Sequence, residues 1–195
     1  MKRNNVLVAI TGGIGSGKSC ALNLVKELGY PAFSCDEEVS ALYKKRRVLS
    51  KLKKEFPTAI NGKLFLSADK REIAKICFEN EDKLAFLEKT LAFPALKSAL
   101  KKAGKVKGIA FVEVPLLFEC KAEGFFDKVI VITRDKTTRI ESVKARSNLT
   151  EDEIAKRISR QIDYDAFDFK SAIVIENDGS TEDLKEKLKQ AIEKI

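Results

Sequence analysis

Histidine is absent from the 195 residues of this chain, and its four cysteines, Cys20, Cys35, Cys77 and Cys120, stand far apart with no C-x-x-C pair. Zinc sites draw mainly on those two residue types, so zinc chemistry is set aside. A disulfide framework serves chains too short to bury a core, and this one is long enough for a single cored domain over 1–195. Most of the cysteines are therefore expected as small buried residues. No apolar run approaches the roughly 20 residues of a membrane span. The apolar segment after Met1–Asn5 ends in a glycine-rich loop, so it is not read as a signal peptide, and a cytoplasmic location without membrane attachment is expected. Aromatics are 8% of the chain and are rarely interleaved with its basic blocks. Few bases could be stacked, so no nucleic-acid partner is expected. No repeat or low-complexity tract is present.

What is plentiful is positive charge, a net +8. Such a balance suits an anionic partner, polyphosphates included. Its densest block, Lys44-Lys45-Arg46-Arg47 with Lys51, Lys53 and Lys54, reads as the solvated face of a helix.

The sharpest motif is Gly12-Gly13-Ile14-Gly15-Ser16-Gly17-Lys18-Ser19, a phosphate-binding P-loop. Glycines let the backbone turn its N–H groups onto a phosphate chain. Lys18 reaches the β- and γ-phosphates, and the Ser19 hydroxyl is placed to hold Mg²⁺. The context fits. Val6–Ile10 is a continuous apolar run, as in a buried parallel strand. Ala21, Leu22, Val25 and Leu28 then recur at helical spacing up to the stop at Gly29. The loop thus opens a helix whose N-terminal dipole favours anions.

Further strands are expected at Ala32–Ser34, Ile109–Val114, Lys128–Thr133 and Ala172–Ile175, with helical patterns between them. That alternation predicts an α/β fold with a parallel five-stranded sheet flanked by helices. Ligands bind beyond the carboxyl ends of such strands, which draws attention to Asp36, Glu113–Glu119, Arg134 onward and Asn177. Residues about 38–103 read as a helical insertion able to grip a second substrate. Residues about 136–165 read as two helices forming an arginine-rich lid. The second starts at Thr150 with Glu153 as a capping box and turns Ile154, Ile158 and Ile162 to one side. A last helix, about 182–194, carries Leu184, Leu188, Ala191 and Ile195 as its packing stripe.

The chain has neither the D-x-x-G nor the N-K-x-D element of a GTPase switch, and motor ATPases usually need more chain. Phosphoryl transfer to a hydroxyl needs a base near the acceptor, cations near the β- and γ-phosphates, and exclusion of water. Asp36 follows the second strand, at the correct edge for a base. Arg139 and Arg146, seven residues apart and on roughly one face, supply positive charge. Ile109–Glu113 has the form of a Walker-B segment, in which Glu113 would hold Mg²⁺ through water. Plain structural alternatives stand beside these: Asp36 as a helix cap, the arginines as surface charges, Glu113 as a strand-end charge.

Together these motifs resemble the dephospho-CoA kinase family nearly end to end. Thr11–Ser19 is similar to its P-loop, and Val114-Pro115-Leu116-Leu117-Phe118-Glu119 to its distinctive segment after the third strand. Arg139, Arg146, Leu149-Thr150 and Arg157-Ile158-x-x-Gln161 resemble its lid, and Ile175–Gly179 its Asn-x-Gly turn. The resemblance implies a P-loop kinase fold with ATP and Mg²⁺ as donor and the ribose 3′-hydroxyl of dephospho-CoA as acceptor. It implies Asp36 as general base and Lys18 and Arg146 as phosphate-stabilising cations. The loop residues through Cys20, with Arg139 and Asn177, would meet ATP. Pro115, Leu116, Leu117 and one of Lys70 or Arg71 would meet the acceptor. The chain departs from the pattern at Ser34 (usually the first acid of an Asp-x-Asp pair), Cys20 (usually Thr) and Phe93 (usually His before Pro94). Another small P-loop kinase, acting on a nucleotide or nucleoside, and a nucleotide-binding protein without turnover remain as alternatives. The protein is expected as a monomer or weak homo-oligomer.

Overall fold

The computed structural model describes residues 5–63, 65–147, 150–169 and 171–195. Along the chain run β1 (Asn5–Thr11), α1 (Lys18–Glu27), β2 (Ala32–Ser34), α2 (Cys35–Leu42), α3 (Arg46–Glu55), β3 (Ile60–Asn61), β4 (Ser67–Ala68), α4 (Lys70–Glu79) and α5 (Glu81–Leu87). A π-helical turn (Glu88–Ala92) leads into α6 (Phe93–Ala103), followed by β5 (Gly108–Glu113), β6 (Lys128–Thr133), α7 (Lys136–Arg146), α8 (Glu151–Ile158), β7 (Ile173–Glu176) and α9 (Thr181–Ile192). The chain divides into two compact units, one of residues up to Ser34 together with Lys101–Ile195, the other Cys35–Leu100.

The first unit is built on a five-stranded sheet of order β2-β5-β1-β6-β7, every pair parallel. Strand β1 lies at its centre, and Leu7 to Thr11 are all buried, as covering both faces of a parallel sheet requires. Val8, Ile10, Phe111, Ile130 and Ile132 pack with Leu22 and Val25 of α1 and with Leu184, Leu188 and Ala191 of α9. The expected stripe on the last helix is therefore in the core, with Ile195 packed at its margin. The register puts Glu113 beside Ile10 on one side and Ser34 on the other, at the carboxyl edge.

The second unit is mostly helical. Leu49, Leu52, Phe56, Ile60, Ile73 and Cys77 form its core. The region read as a helical insertion includes the short antiparallel pair β3–β4, which Gly62 at φ +87° helps to turn. Two-residue strands are too short to show a period. Lys44–Arg47 are exposed and α3 buries Leu49 and Leu52 instead, so the basic block is a solvated face. The π turn ends two residues before Pro94, whose ring and missing N–H disturb helical bonding to the preceding turn.

Cysteines Cys35 and Cys77 are buried, but Cys20 is exposed and Cys120 half-buried, so burial accounts for only two of the four. Helix α8 stops at Ile158; Ile154 is buried on it, whereas Ile162 lies beyond its end. Among the described residues no helix is long and apolar enough to cross a membrane.

Candidate active site

Between β1 and α1 the chain makes the loop Gly12–Gly17, with Gly15 at φ +80° and Gly17 at φ +97°, values that side chains with a Cβ rarely adopt. Gly17 is the N-cap of α1, and no side chain caps this helix; its first turn carries no acid. Helices α4, α5, α7, α8 and α9 each have a side-chain cap, from Asp69, Asn80, Asp135, Thr150 and Ser180. The N-terminus of α1, with no side-chain cap among the described residues, thus offers its positive dipole end to an anion. Lys18 Nζ donates to the carbonyls of Gly12 and Gly13 at 2.7 and 2.9 Å, so its ammonium lies over the loop.

At the next residue Ser19 Oγ donates to Glu113 Oε1 at 3.0 Å. Glu113 is only 3% exposed. A hydroxyl and a buried carboxylate, adjacent at the carboxyl edge, are hard oxygen donors of the kind magnesium prefers. Cys20, the third residue of α1, is exposed.

Three distal elements close on the loop. Asn177, the first residue after β7, donates from Nδ2 to the Ser16 carbonyl at 2.8 Å. Ile14 N donates to Gln161 Oε1 at 2.7 Å. Arg139, on α7, is 9% exposed, and its Nη2 reaches both carboxylate oxygens of Asp165, at 2.9 and 2.7 Å. A Cβ added at Gly13 would lie 2.3 Å from Arg139 Nη1. The Tyr164 hydroxyl stands 3.4 Å from Thr11 Oγ1. Burial pushes the Tyr164 phenol up to about 12, with the Glu119 charge adding and the Thr11 hydrogen bond opposing. Glu119 Oε1 in turn accepts from Ile162 N at 3.0 Å.

The structure therefore gathers Gly12–Ser19, Glu113, Arg139 and Asn177. Arg146 is exposed at the last position of α7. Seven residues of helix separate it from Arg139, about 10 Å along the axis. Pro115 and Leu116 are half-buried after β5, and Leu117 is wholly buried. Asp36, Lys70 and Arg71 belong to the Cys35–Leu100 unit. There Asp36 is exposed in the first turn of α2, Lys70 Nζ sits 4.9 Å from the Tyr43 ring centroid, and Arg71 N donates to the capping Asp69. Leu149 lies outside the described residues.

A family model described as dephospho-CoA kinase matches residues 6–183. The chain belongs to the dephospho-CoA kinase family. Curated relatives named dephospho-CoA kinase include one from Thermus thermophilus, 28% identical over 99% of this chain and 93% of its own length. Another, from Arabidopsis thaliana, is 28% identical over 97% of this chain and 83% of its own. A crystal structure of a Thermus thermophilus protein superposes with TM-score 0.83 at 29% identity, covering 98% of both chains. A dephospho-CoA kinase from Campylobacter jejuni gives 0.67 at 25% identity, covering 97% of this chain and 96% of that one. A shikimate kinase from Acinetobacter baumannii, 0.55 at 17%, shares the fold alone, over 98% of this chain and 95% of its own.

Within this family member, sequence reasoning missed Tyr164 and Asp165. They follow α8 with no spacing that marks them, and their partners Thr11 and Arg139 are 153 and 26 residues away in the chain. Gln161 was legible as part of the lid pattern, but not its hold on the Ile14 amide.

Proposed function

We propose that this chain transfers the γ-phosphoryl group of ATP to the ribose 3′-hydroxyl of dephospho-CoA, releasing coenzyme A and ADP. The observation that carries the reading is the uncapped α1 N-terminus under the glycine loop, with Lys18 laid over it and the Ser19–Glu113 pair at its side. Triphosphate oxygens would take up the first amides of α1, and Lys18 would exchange its carbonyl partners for phosphate. One hydroxyl and one carboxylate are few protein ligands for a metal. They suit Mg²⁺, which keeps several waters and takes other oxygens from phosphates. That ion would neutralise charge developing on the transferred group; Ser19 would ligate it and Glu113 would orient a ligand water.

Asp36 is the proposed base. It stands two residues past Ser34, the register partner of Glu113. It would take the proton of the 3′-hydroxyl as oxygen attacks phosphorus and the bond to ADP breaks. Arg139 and Arg146 would stabilise charge on the phosphates. Pro115 and Leu116 offer partly exposed apolar surface to the acceptor, with buried Leu117 holding that segment, and Lys70 or Arg71 supplies a cation for its phosphates. Asn177 and Cys20 would meet ATP. ATP and dephospho-CoA are the partners in this reading, in the cytoplasm, with the protein a monomer or weak homo-oligomer.

The test is incubation of purified protein with ATP, Mg²⁺ and a panel of acceptors, with products identified by mass. Coenzyme A formed from dephospho-CoA and from no other acceptor is expected. Phosphorylation of a nucleotide or nucleoside instead would reassign the acceptor, and nucleotide binding with no product would end the kinase reading.

A further inference from the structure

The guanidinium of Arg139 is held in an unusual way for a group that must meet phosphate. It is buried to nine-tenths, yet its fixed partner, the Asp165 side chain, is 51% exposed. Both carboxylate oxygens converge on Nη2 alone. Nε is buried and makes no hydrogen bond among the described residues. Nη1 is the nitrogen that lies against the loop at Gly13, and the Arg139 carbonyl lies against Gly15, 2.3 Å from where a Cβ would stand. The carboxylate thus grips one end of the fork and leaves the other end turned to the phosphate loop. The stretch that carries Asp165 is itself tied down, by Gln161 on the Ile14 amide, Ile162 N on Glu119 and Tyr164 beside Thr11.

We propose that Asp165 is a positioning residue for phosphoryl transfer: by clamping Nη2 it sets the angle at which Arg139 Nη1 faces the transferring phosphate. This rests on the kinase reading above. An arginine has many rotamers, and without its clamp the guanidinium would sample several of them. A phosphate already seated by the loop amides would still bind, but the cation would be misplaced at the moment of transfer, an error that can cost about 10²-fold. Removing an anion beside the loop makes the site more positive, so ATP should bind as well as before or better. A role confined to stability would lower the melting temperature and weaken ATP binding.

Four variants decide the matter in steady-state CoA formation, with ATP affinity measured in parallel by a fluorescent ATP analogue. Asp165→Asn should lower kcat by 10- to 100-fold without raising the KM for ATP. Asp165→Glu should recover most of that loss, because the pair borders a cavity of about 240 Å³ that can take the longer side chain. In an Arg139→Ala background, Asp165→Asn should cost nothing further, since the clamp then has nothing to hold. An Asp165→Asn variant with normal kcat, or with a raised KM at unchanged kcat, overturns the proposal. So does a loss that multiplies with that of Arg139→Ala. If the wild-type protein forms no CoA, the kinase reading itself fails; if it turns over normally and only the Asp165 results disagree, the clamp alone is refuted.

Discussion

Replacing Glu113 by Gln isolates the charge of one buried atom pair. The two side chains are nearly isosteric, so no cavity opens in the sheet. Ser19 Oγ donates to Oε1 at 3.0 Å, and the amide keeps an Oε1 that accepts equally. At 3% exposure little water can replace what is lost. The substitution therefore leaves shape and the Ser19 bond in place and removes a single negative charge. Its cost to folding is expected to be small, or of opposite sign, because a buried carboxylate held by a neutral hydroxyl is itself unfavourable. Function should respond differently. Groups that orient a metal's ligands typically matter by 10–100-fold in metal affinity or activity, about 1.4–2.7 kcal/mol. The assay is the rate of CoA formation at saturating ATP across a Mg²⁺ titration. The half-saturating Mg²⁺ concentration should rise by 10- to 100-fold while the melting temperature holds or increases. An unchanged Mg²⁺ curve with unchanged kcat would refute the metal role and leave Glu113 as a strand-end acceptor for Ser19.

Other perturbations test the remaining assignments. Asp36→Asn should cut kcat by about 10²-fold or more with ATP affinity largely intact; full activity would reduce Asp36 to an acid favouring the first turn of α2. Arg146→Ala should slow phosphoryl transfer on the order of 10³-fold, and a change confined to the KM for the acceptor would contradict a role on the phosphates. Tyr43 and Tyr164 predict an alkaline limit. Both phenols are pushed from 10 up to about 12, chiefly by burial, with Cys77 adding at Tyr43. The folded state then holds protons that the unfolded state releases, so stability is fully present below about pH 10 and falls as pH rises towards 12. Urea midpoints measured between pH 9 and 11.5 should decline across that window, together with the rise of tyrosinate absorbance. A flat midpoint up to pH 11.5 would show that neither phenol is held protonated by the fold.

Local patterns carried the fold. The apolar run Val6–Ile10 reads as a strand because a parallel strand is covered on both faces, and β1 is buried in that way. Thr150 and Glu153 read as a capping box because the two hydrogen bonds need only a three-residue spacing, and both are made. The stripe on α9 needed only helical period. What stayed hidden depends on distance along the chain. Ile162 fits the stripe of α8 by counting, yet the helix ends four residues earlier, and the Ile162 N–H goes to Glu119 instead. Similarly Arg139 and Arg146 share a face by counting. One is buried against the loop and the other is exposed at the helix end, because the spacing fixes only the angle about the axis.

The glycines of the loop show why its motif was so legible. Read for chemistry, they let backbone amides approach phosphate. Their packing makes a second demand. A Cβ at Gly12 would lie 2.1 Å from the Ile132 carbonyl of β6, at Gly13 2.3 Å from Arg139 Nη1, at Gly15 2.3 Å from the Arg139 carbonyl, and at Gly17 2.2 Å from Asn177 Nδ2. Each position is closed by an element from the other half of the sheet or its flanking helix. A loop so rich in glycine would lose much conformational entropy on ordering. The contacts of β6, α7 and Asn177 supply that order before any nucleotide arrives. A preformed cradle loses less freedom on binding and holds its amides ready for charge that develops only during transfer. The small residues are thus required twice, once by the anion that would meet their amides and once by the protein already packed against them.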